Sequence, residues 1–342
     1  MGMNKWRILL FPFSLIYRII TIIRNKLFDW GIIPIHQIQV PSIGVGNLSV
    51  GGTGKSVFID FLITNFKKEF DIAVLSRGYG RKTKGVLVAD QISSSASIGD
   101  EPFQFFSKHK DVQIVVAERR LKGIKILAQM NPKLELLLLD DVMQHRYVSP
   151  SILILTTTYD KPYFSDKLLP VGNLREIKSG AKRAEIILVT KCPDQLSEDK
   201  IKVISEKLNL TSSQQLFFTK IKYSPIIQNE LVNIKLKNIK EHFVLVTGIA
   251  DPDPLVKYFK TKGLIFTHLR FSDHHYFSTN DLGKINKTRK NSKVITTEKD
   301  FTRLASLIEK ESLFYIPIEM EFLNLEMEIK FMDYLKKKIQ IN

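Results

Sequence analysis

The sequence predicts an α/β protein. Its main part is a P-loop NTPase-like, doubly wound, mainly parallel sheet, joined by a second, smaller α/β domain and an N-terminal amphipathic helix. Three observations carry this. Residues 49–56 read Ser-Val-Gly-Gly-Thr-Gly-Lys-Ser directly after the apolar Ile43-Gly44-Val45-Gly46, a strand running into a glycine-rich turn. Apolar runs of strand length then alternate with helix-like segments, as in a parallel sheet covered on both faces. The N-terminal stretch is strongly apolar but carries a thin polar stripe.

The bulk properties set the limits. A chain of 342 residues, 44% hydrophobic and 25% charged, has room for two domains and a real core. We expect an N-terminal helix region over 1–36, a nucleotide-binding domain over 37–220 and a smaller C-terminal α/β domain over 221–342. Cys192 is the single cysteine, which excludes a disulfide framework and a cysteine-based metal site. Fifty-one basic against 35 acidic residues give a net charge of +16. Such a charge suits an anionic partner, whether nucleic acid, anionic lipid or a phosphorylated substrate.

From the N-terminus, residues 8–23 are apolar, but Arg18 lies inside the run and Pro12 interrupts it. That argues against a clean transmembrane span. No small-residue cleavage site follows, which argues against a signal peptide. Polar residues fall at Arg7, Ser14, Arg18, Thr21 and Asn25. From Ser14 onward they form one narrow helical stripe. Trp6 and Trp30 flank the segment. A membrane-interface helix fits best, with packing on the protein's own core or on a partner chain as the other readings.

The glycine-rich turn comprises Ser49, Val50, Gly51, Gly52, Thr53, Gly54, Lys55 and Ser56. Glycines let backbone N–H groups converge on phosphate oxygens, and the next helix begins with its positive end there. Lys55 adds a point charge, and Ser56 would place its hydroxyl on Mg²⁺. Ser49 stands where the strict pattern has glycine. The turn still points to a nucleoside triphosphate.

Beyond it, residues 57–66 read as the phosphate-binding helix and 72–75 as a short strand. Strands follow over 86–89, 112–117, 134–139, 152–155 and 186–189. A second series begins with 243–247 and continues near 264–267, 293–297 and 313–316. Ligands in such sheets bind beyond the carboxyl ends of the strands, where most of the polar clusters fall.

The strand over 134–139 ends in Asp140 and Asp141, carboxylates suited to hold Mg²⁺ opposite Ser56. Gly99-Asp100-Glu101-Pro102 opens an apolar helix. Asp100 is then either a helix cap or part of an acidic first turn, with the cap favoured by the residue pattern, or a base that takes a proton from a hydroxyl. Asp273-His274-His275-Tyr276 follows a strand-like run. Adjacent histidines face opposite ways on a strand, so a shared ion is not expected, and such a cluster is more often structural. Arg77, Arg81, Arg119, Arg120 and Arg175 lie at strand ends or in loops, where arginine can grip phosphate. Thr190-Lys191-Cys192-Pro193-Asp194 is similar to a guanine-reading motif, with one residue too many before the aspartate.

In order, the chain carries Asn47-Leu48 before the turn, Ser76-Arg77-Gly78-Tyr79-Gly80-Arg81 and Gly99-Asp100-Glu101-Pro102. Then come Leu139-Asp140-Asp141-Val142-Met143-Gln144-His145, Pro170-Val171-Gly172-Asn173-Leu174-Arg175-Glu176 and Thr247-Gly248-Ile249-Ala250. Asp273-His274-His275-Tyr276 and Thr296-Thr297-Glu298-Lys299-Asp300 complete the series. Together these motifs resemble the tetraacyldisaccharide 4′-kinase family, the lipid A 4′-kinases of Gram-negative bacteria. The resemblance implies two α/β domains closing over ATP and Mg²⁺. It implies transfer of the γ-phosphate to the 4′-hydroxyl of tetraacyldisaccharide 1-phosphate, forming lipid IVA. Asp100 matches the family's catalytic carboxylate, His274 the histidine paired with it, and Asp140 and Asp141 the metal carboxylates. Lys55 would neutralise phosphate, and Arg77, Arg119 or Arg175 would hold the substrate phosphate or the transferring group. The implied partners are an anionic glycolipid and the inner-membrane surface, with no nucleic acid and no obligate protein partner. The implied location is peripheral, on the cytoplasmic face. The alternative class is a P-loop GTPase or ATPase switch at the membrane surface. Two departures stand out: Ser56 replaces the usual threonine, and Val142-Met143 replaces Gly-Phe.

Overall fold

The computed structural model describes residues 5–340. A 3₁₀ segment, Lys5–Leu10, leads into α1 (Phe11–Asp29). The chain then forms β1 (Ser42–Gly46), α2 (Lys55–Phe66), β2 (Ile72–Ser76), β3 (Leu87–Val88), α3 (Asp100–Lys108) and β4 (Gln113–Val116). Next come α4 (Arg120–Met130), β5 (Leu136–Asp140), β6 (Ile152–Thr158), β7 (Ile186–Thr190), α5 (Glu198–Leu208) and β8 (Gln215–Tyr223). These strands build a nine-stranded sheet of order β15-β8-β7-β6-β1-β5-β2-β4-β3, whose edge strand β15 (Ile318–Phe322) comes from near the C-terminus. Seven strands, β8 to β4, run parallel, and the two edges pair antiparallel.

The parallel strands are buried on both faces, so they read as unbroken apolar runs. β1 is the exception in composition. A Cβ on Gly44 would lie 2.7 Å from the Val142 side chain, and one on Gly46 would lie 2.5 Å from Met143. The turn after β5 therefore packs directly on β1. Val142 and Met143, the departures from the usual Gly-Phe, are both buried there.

A six-stranded sheet follows, built from β9 (Ile226–Gln228), β10 (Asn233–Lys235), β11 (Phe243–Thr247), β12 (Phe266–Arg270), β13 (Val294–Thr297) and β14 (Leu313–Ile316). Its order is β10-β9-β14-β13-β11-β12, with α6 (Asp253–Thr261), α7 (Thr279–Arg289) and α8 (Glu298–Leu304) between strands.

Residues 221–342 do not stay with that sheet alone. β8 runs unbroken through Lys220, pairing with β7 through 215–218 and with β15 through 219–223. The last helix, α9 (Leu325–Gln340), also returns to the larger sheet. The reason is apolar. Phe331, Leu335 and Ile339 of α9 bury against Phe58 of α2, Phe217 of β8 and Phe322 of β15. Phe331 meets Phe217 at 5.0 Å and Phe322 at 4.9 Å between ring centroids. Each fully buried phenylalanine contributes roughly 1.5–3 kcal/mol.

Candidate active site

α1 docks polar side inward. Ser14, Thr21 and Asn25 are buried, while Leu9, Phe11, Phe13, Ile16, Ile19, Ile20 and Ile23 are exposed. The stripe reaches the 168–176 loop: Ser14 Oγ donates to Leu168 O at 3.3 Å, Tyr17 Oη to Arg175 O at 2.7 Å, and Asn25 Nδ2 to Glu176 Oε2 at 3.1 Å. Arg7 donates to Pro170 O at 2.8 Å. The helix does pack on the protein, but through this polar stripe and Phe28, 5.1 Å from Tyr147 between ring centroids, and its wide apolar face stays outside.

The same loop supports the glycine-rich turn. Arg175 grips Asp141 with both terminal nitrogens, at 2.9 and 2.8 Å, and donates to Asn47 O at 3.0 Å. Lys55 Nζ donates to Asn47 Oδ1 at 3.1 Å and lies 3.4 Å from Asp141 Oδ1. Gly51 and Gly54 sit at φ 114° and 81°, left-handed values that favour glycine. Thr53 is tied to Asn47 Nδ2 at 3.0 Å and to Thr156 Oγ1 at 2.8 Å. Thr190 Oγ1 donates to Thr53 O at 2.9 Å. Lys191 follows in the left-handed region, its ammonium 3.9 Å from where a Cβ on Gly52 would lie. Thr190-Lys191 thus buttresses the turn. Asp194 is 86% exposed and pairs with Lys220 at 3.2 Å.

The two carboxylates after β5 differ. Asp140 Oδ2 accepts from Ser76 Oγ at 2.8 Å, while its Oδ1 is buried without a protein partner. Burial, with the charges of Glu101 and Asp141, pushes Asp140 up to about 6. Asp141 sits at φ 49°. Burial works against its ionised form too, but Arg175 and Lys55 outweigh it and hold the carboxyl well below the usual range.

Gly99 is the N-cap of α3 and Asp100 its first residue, in an acidic first turn with Glu101, so the cap reading is corrected and the first-turn one stands. Gly99 before it has φ 93°, and a Cβ there would lie 2.9 Å from Tyr79 O. The Gly78-Tyr79-Gly80 turn therefore presses on the start of α3. Asp100 Oδ2 instead meets His274 Nδ1 at 3.0 Å and Arg303 Nη2 at 2.6 Å. Burial raises the Asp100 pKa, but the hydrogen bonds from His274 and Arg303 overcome it and bring it down to about 2. The bond to Asp100 raises His274 against the opposing effect of burial. The adjacent histidines separate, though in a turn rather than on a strand, with His274 at φ 55°: His275 Nε2 lies 3.0 Å from Asp281 Oδ2, in the capping box of α7.

Glu101, Lys299 and Arg303 escaped the sequence reading as chemical groups. Glu101 Oε1 accepts from both Ser56 Oγ and Lys299 Nζ, each at 2.6 Å. It joins the glycine-rich turn, α3 and α8. Burial opposes its charge, but Lys299 and Lys55 bring Glu101 down to about 2. The signal available was the in-order Glu-Lys-Asp motif at 298–300: Lys299 meets Glu101, Glu298 meets Gln104 and Lys108 of α3, and Asp300 holds Arg303. Arg77 and Arg119 are exposed and make no side-chain hydrogen bond or ion pair among the described residues. Burial, then the charges of Arg120 and Arg77, push His145 down to about 4. Arg81 is instead spent on Glu118, and Arg120 on the carbonyls of Ala117 and Asp140.

The arrangement brings a glycine-rich turn, a lysine, paired carboxylates and an ionised aspartate to the carboxyl ends of one sheet. That suits phosphoryl transfer to a hydroxyl. Comparison with known proteins agrees. The profile of the family described as tetraacyldisaccharide-1-P 4'-kinase matches residues 6–340. A tetraacyldisaccharide 4'-kinase of Flavobacterium johnsoniae is 45% identical, covering 99% of this chain and 100% of that protein. One from Bacteroides fragilis is 40% identical, covering 94% and 89%. A crystal structure of LpxK from Aquifex aeolicus in complex with ATP superposes with a TM-score of 0.77 at 27% identity, covering 98% of this chain and 99% of that one. The chain belongs to the tetraacyldisaccharide-1-P 4'-kinase family.

Proposed function

We propose that this chain transfers the γ-phosphoryl group of ATP to the 4′-hydroxyl of a tetraacylated glucosamine disaccharide 1-phosphate, giving lipid IVA. The observation that carries the proposal is the Asp100–His274 pair set one residue from Glu101, which holds Ser56 of the glycine-rich turn. A proton acceptor and a phosphate cradle thus share one cleft.

Residues 49–56 take the triphosphate, with Lys55 on the β- and γ-phosphates. Asp100 takes the acceptor proton as the new P–O bond forms, with His274 orienting it. Magnesium is handled through oxygen ligands, few of them from protein. Among the described residues, no group of three or more His, Cys, Asp or Glu is arranged as a metal cage. A site shared with phosphates needs none. The residues fit: Asp140 offers a buried, unpartnered oxygen, and Ser56 a hydroxyl. Asp141, engaged by Arg175 and Lys55, contributes by holding those two cations in place. When bound, the ion neutralises charge on the phosphate oxygens. Arg175 acts within the cradle, and Arg77 and Arg119, without a hydrogen-bond or ion-pair partner among the described residues, take the substrate phosphate.

The membrane surface is the proposed partner of α1. Its outward face is apolar, its ends carry Trp6 and Trp30, 76% and 66% exposed, and its polar side is already occupied by the protein. Trp6–Asp29 is long and apolar enough to cross a membrane by length and composition. Lying flat is the reading its inward polar stripe supports, since that stripe lies on the protein along most of its length. The enzyme then works peripherally on the cytoplasmic face, where ATP is available.

The test is incubation with labelled ATP, Mg²⁺ and the disaccharide lipid, followed by lipid extraction. Label in the extracted lipid is expected. Label released only as inorganic phosphate would move the chain to the ATPase class.

A further inference from the structure

We infer that Arg303 is a positioning residue for Asp100, taking one carboxylate oxygen together with His274 so that the other is left for the acceptor hydroxyl. The inference rests on the kinase reading above, in which Asp100 takes the hydroxyl proton.

Three donors converge on a single oxygen. Arg303 Nη2 and Nε reach Asp100 Oδ2 at 2.6 and 3.1 Å, and His274 Nδ1 reaches the same atom at 3.0 Å. Asp100 Oδ1 has no hydrogen-bond partner among the described residues. A carboxylate oxygen with three donors has no lone pair to spare, whereas Oδ1 keeps its full accepting capacity. The carboxylate is therefore polarised by its surroundings into a held oxygen and an open one.

Arg303 is itself held. Its Nη1 donates to Asp300 Oδ1 at 3.1 Å. Asp300 is fully buried, and its Oδ2 accepts from Gly248 N at 2.9 Å and Thr297 Oγ1 at 2.8 Å. The Arg303 side chain is 10% exposed. A rigid line thus runs from the end of β11 through Asp300 and Arg303 to Asp100. Each element of it belongs to the six-stranded side of the cleft, while Asp100 belongs to the other.

The step it serves balances simply. The acceptor oxygen forms a bond to the γ-phosphorus, and the bond from that phosphorus to the bridging oxygen breaks. ADP leaves with the electron pair, and the hydroxyl proton passes to Asp100 Oδ1. The loose transition state places more weight on aim than on base strength. An arginine that fixes direction while keeping the carboxylate ionised suits that demand.

The rival role is a latch, in which Arg303 only ties the two sides of the cleft together. The two roles separate kinetically. A lost latch weakens binding of both substrates, whereas lost aim lowers kcat with KM unchanged. The groups facing Asp100 are His274 and Arg303 directly, with Lys299, Asp300 and Asp273 around them and Glu101 on its own helix. Without Arg303, His274 alone would hold Asp100 ionised, so the acid limb of kcat would move to higher pH.

The experiment measures kcat, both KM values and the pH profile for Arg303→Met and Arg303→Lys in the full chain. We expect Arg303→Met to lower kcat by on the order of 10²-fold, with both KM values unchanged and the acid limb shifted upward. Arg303→Lys, which keeps the charge but loses the fork, should recover part of that loss. A rise in both KM values without a fall in kcat, or an unmoved acid limb, overturns the inference. If the Met variant fails to fold, the Lys variant decides: reduced kcat at unchanged KM upholds the role, and wild-type kcat overturns it. Failure of the kinase reading looks different. It would show as no phosphorylated lipid from the unaltered chain, or as full turnover by Asp100→Ala.

Discussion

At the scale of single residues, Asp100 decides the account. If it takes the acceptor proton, Asp100→Ala should lower kcat by on the order of 10²–10⁴-fold. Protection of thermal stability by ATP should persist, because Asp100 does not touch the glycine-rich turn. A variant that loses thermal stability but keeps turnover would restore a merely structural role. The Asp100–His274 pair also has a signed pH dependence. The bond to Asp100 raises His274, so its contribution to stability is complete below the unfolded histidine value and fades as pH rises through the folded one. Asp100 is depressed to about 2, so its contribution is present above the ordinary carboxylate range and lost as pH falls toward that value. The difference in Tm between the unaltered chain and His274→Asn should therefore shrink on the alkaline side of neutrality, and thermal scans across pH measure it. Lys55, Ser56 and the glycines stand out in the sequence because a glycine-rich turn is local. Arg303 could not, since its meaning comes from a contact 203 positions away. For Asp100 the residue pattern alone favoured a cap, because a carboxylate in a first helical turn has that use by default.

At the scale of elements, α1 and the contact between α3 and α8 carry the consequences. α1 divides its two faces between two tasks. Ile16, Ile19, Ile20 and Ile23 are exposed, so serine at these positions should reduce flotation with anionic vesicles while leaving Tm nearly unchanged. Asn25 is buried on Glu176, so Asn25→Leu should cost about 1–3 kcal/mol by removing one of the donors to a buried carboxylate that Arg183 and Gln144 also hold. The reverse outcome would mean that the apolar face is covered by protein. The narrow stripe was visible in the sequence. Its inward orientation was not, because periodicity locates a face without saying what lies against it. Between α3 and α8, burial pushes Glu298 up to about 7, against Lys108 and Gln104. A raised carboxyl binds more protons folded than unfolded, so it lowers stability progressively as pH rises from the ordinary carboxylate range toward 7. Glu298→Gln should remove that slope, and Tm measured against pH for both chains checks it. β8 and β15 escaped the sequence reading because their alternating or charged residues break the apolar run that marked the buried parallel strands.

At the scale of the molecule, two sheets meet along α3, which gives Asp100 and Glu101 to one end of the contact and Gln104 and Lys108 to the other. The alternation of apolar strands with helices made the larger sheet predictable. The return of residues 318–340 to that sheet was not, since an edge strand added from afar leaves no local mark. The net charge of +16 and the outward apolar helix suit the same anionic lipid, so charge and hydropathy converge on one acceptor. The most direct measurement is transfer of label from γ-labelled ATP to authentic disaccharide lipid by the unaltered chain and by Lys55→Ala. The account predicts labelled lipid from the first and almost none from the second, because Lys55 places its charge on the transferring group. An unaltered chain that leaves the glycolipid unlabelled, or a Lys55→Ala chain that labels it at the same rate, would contradict it.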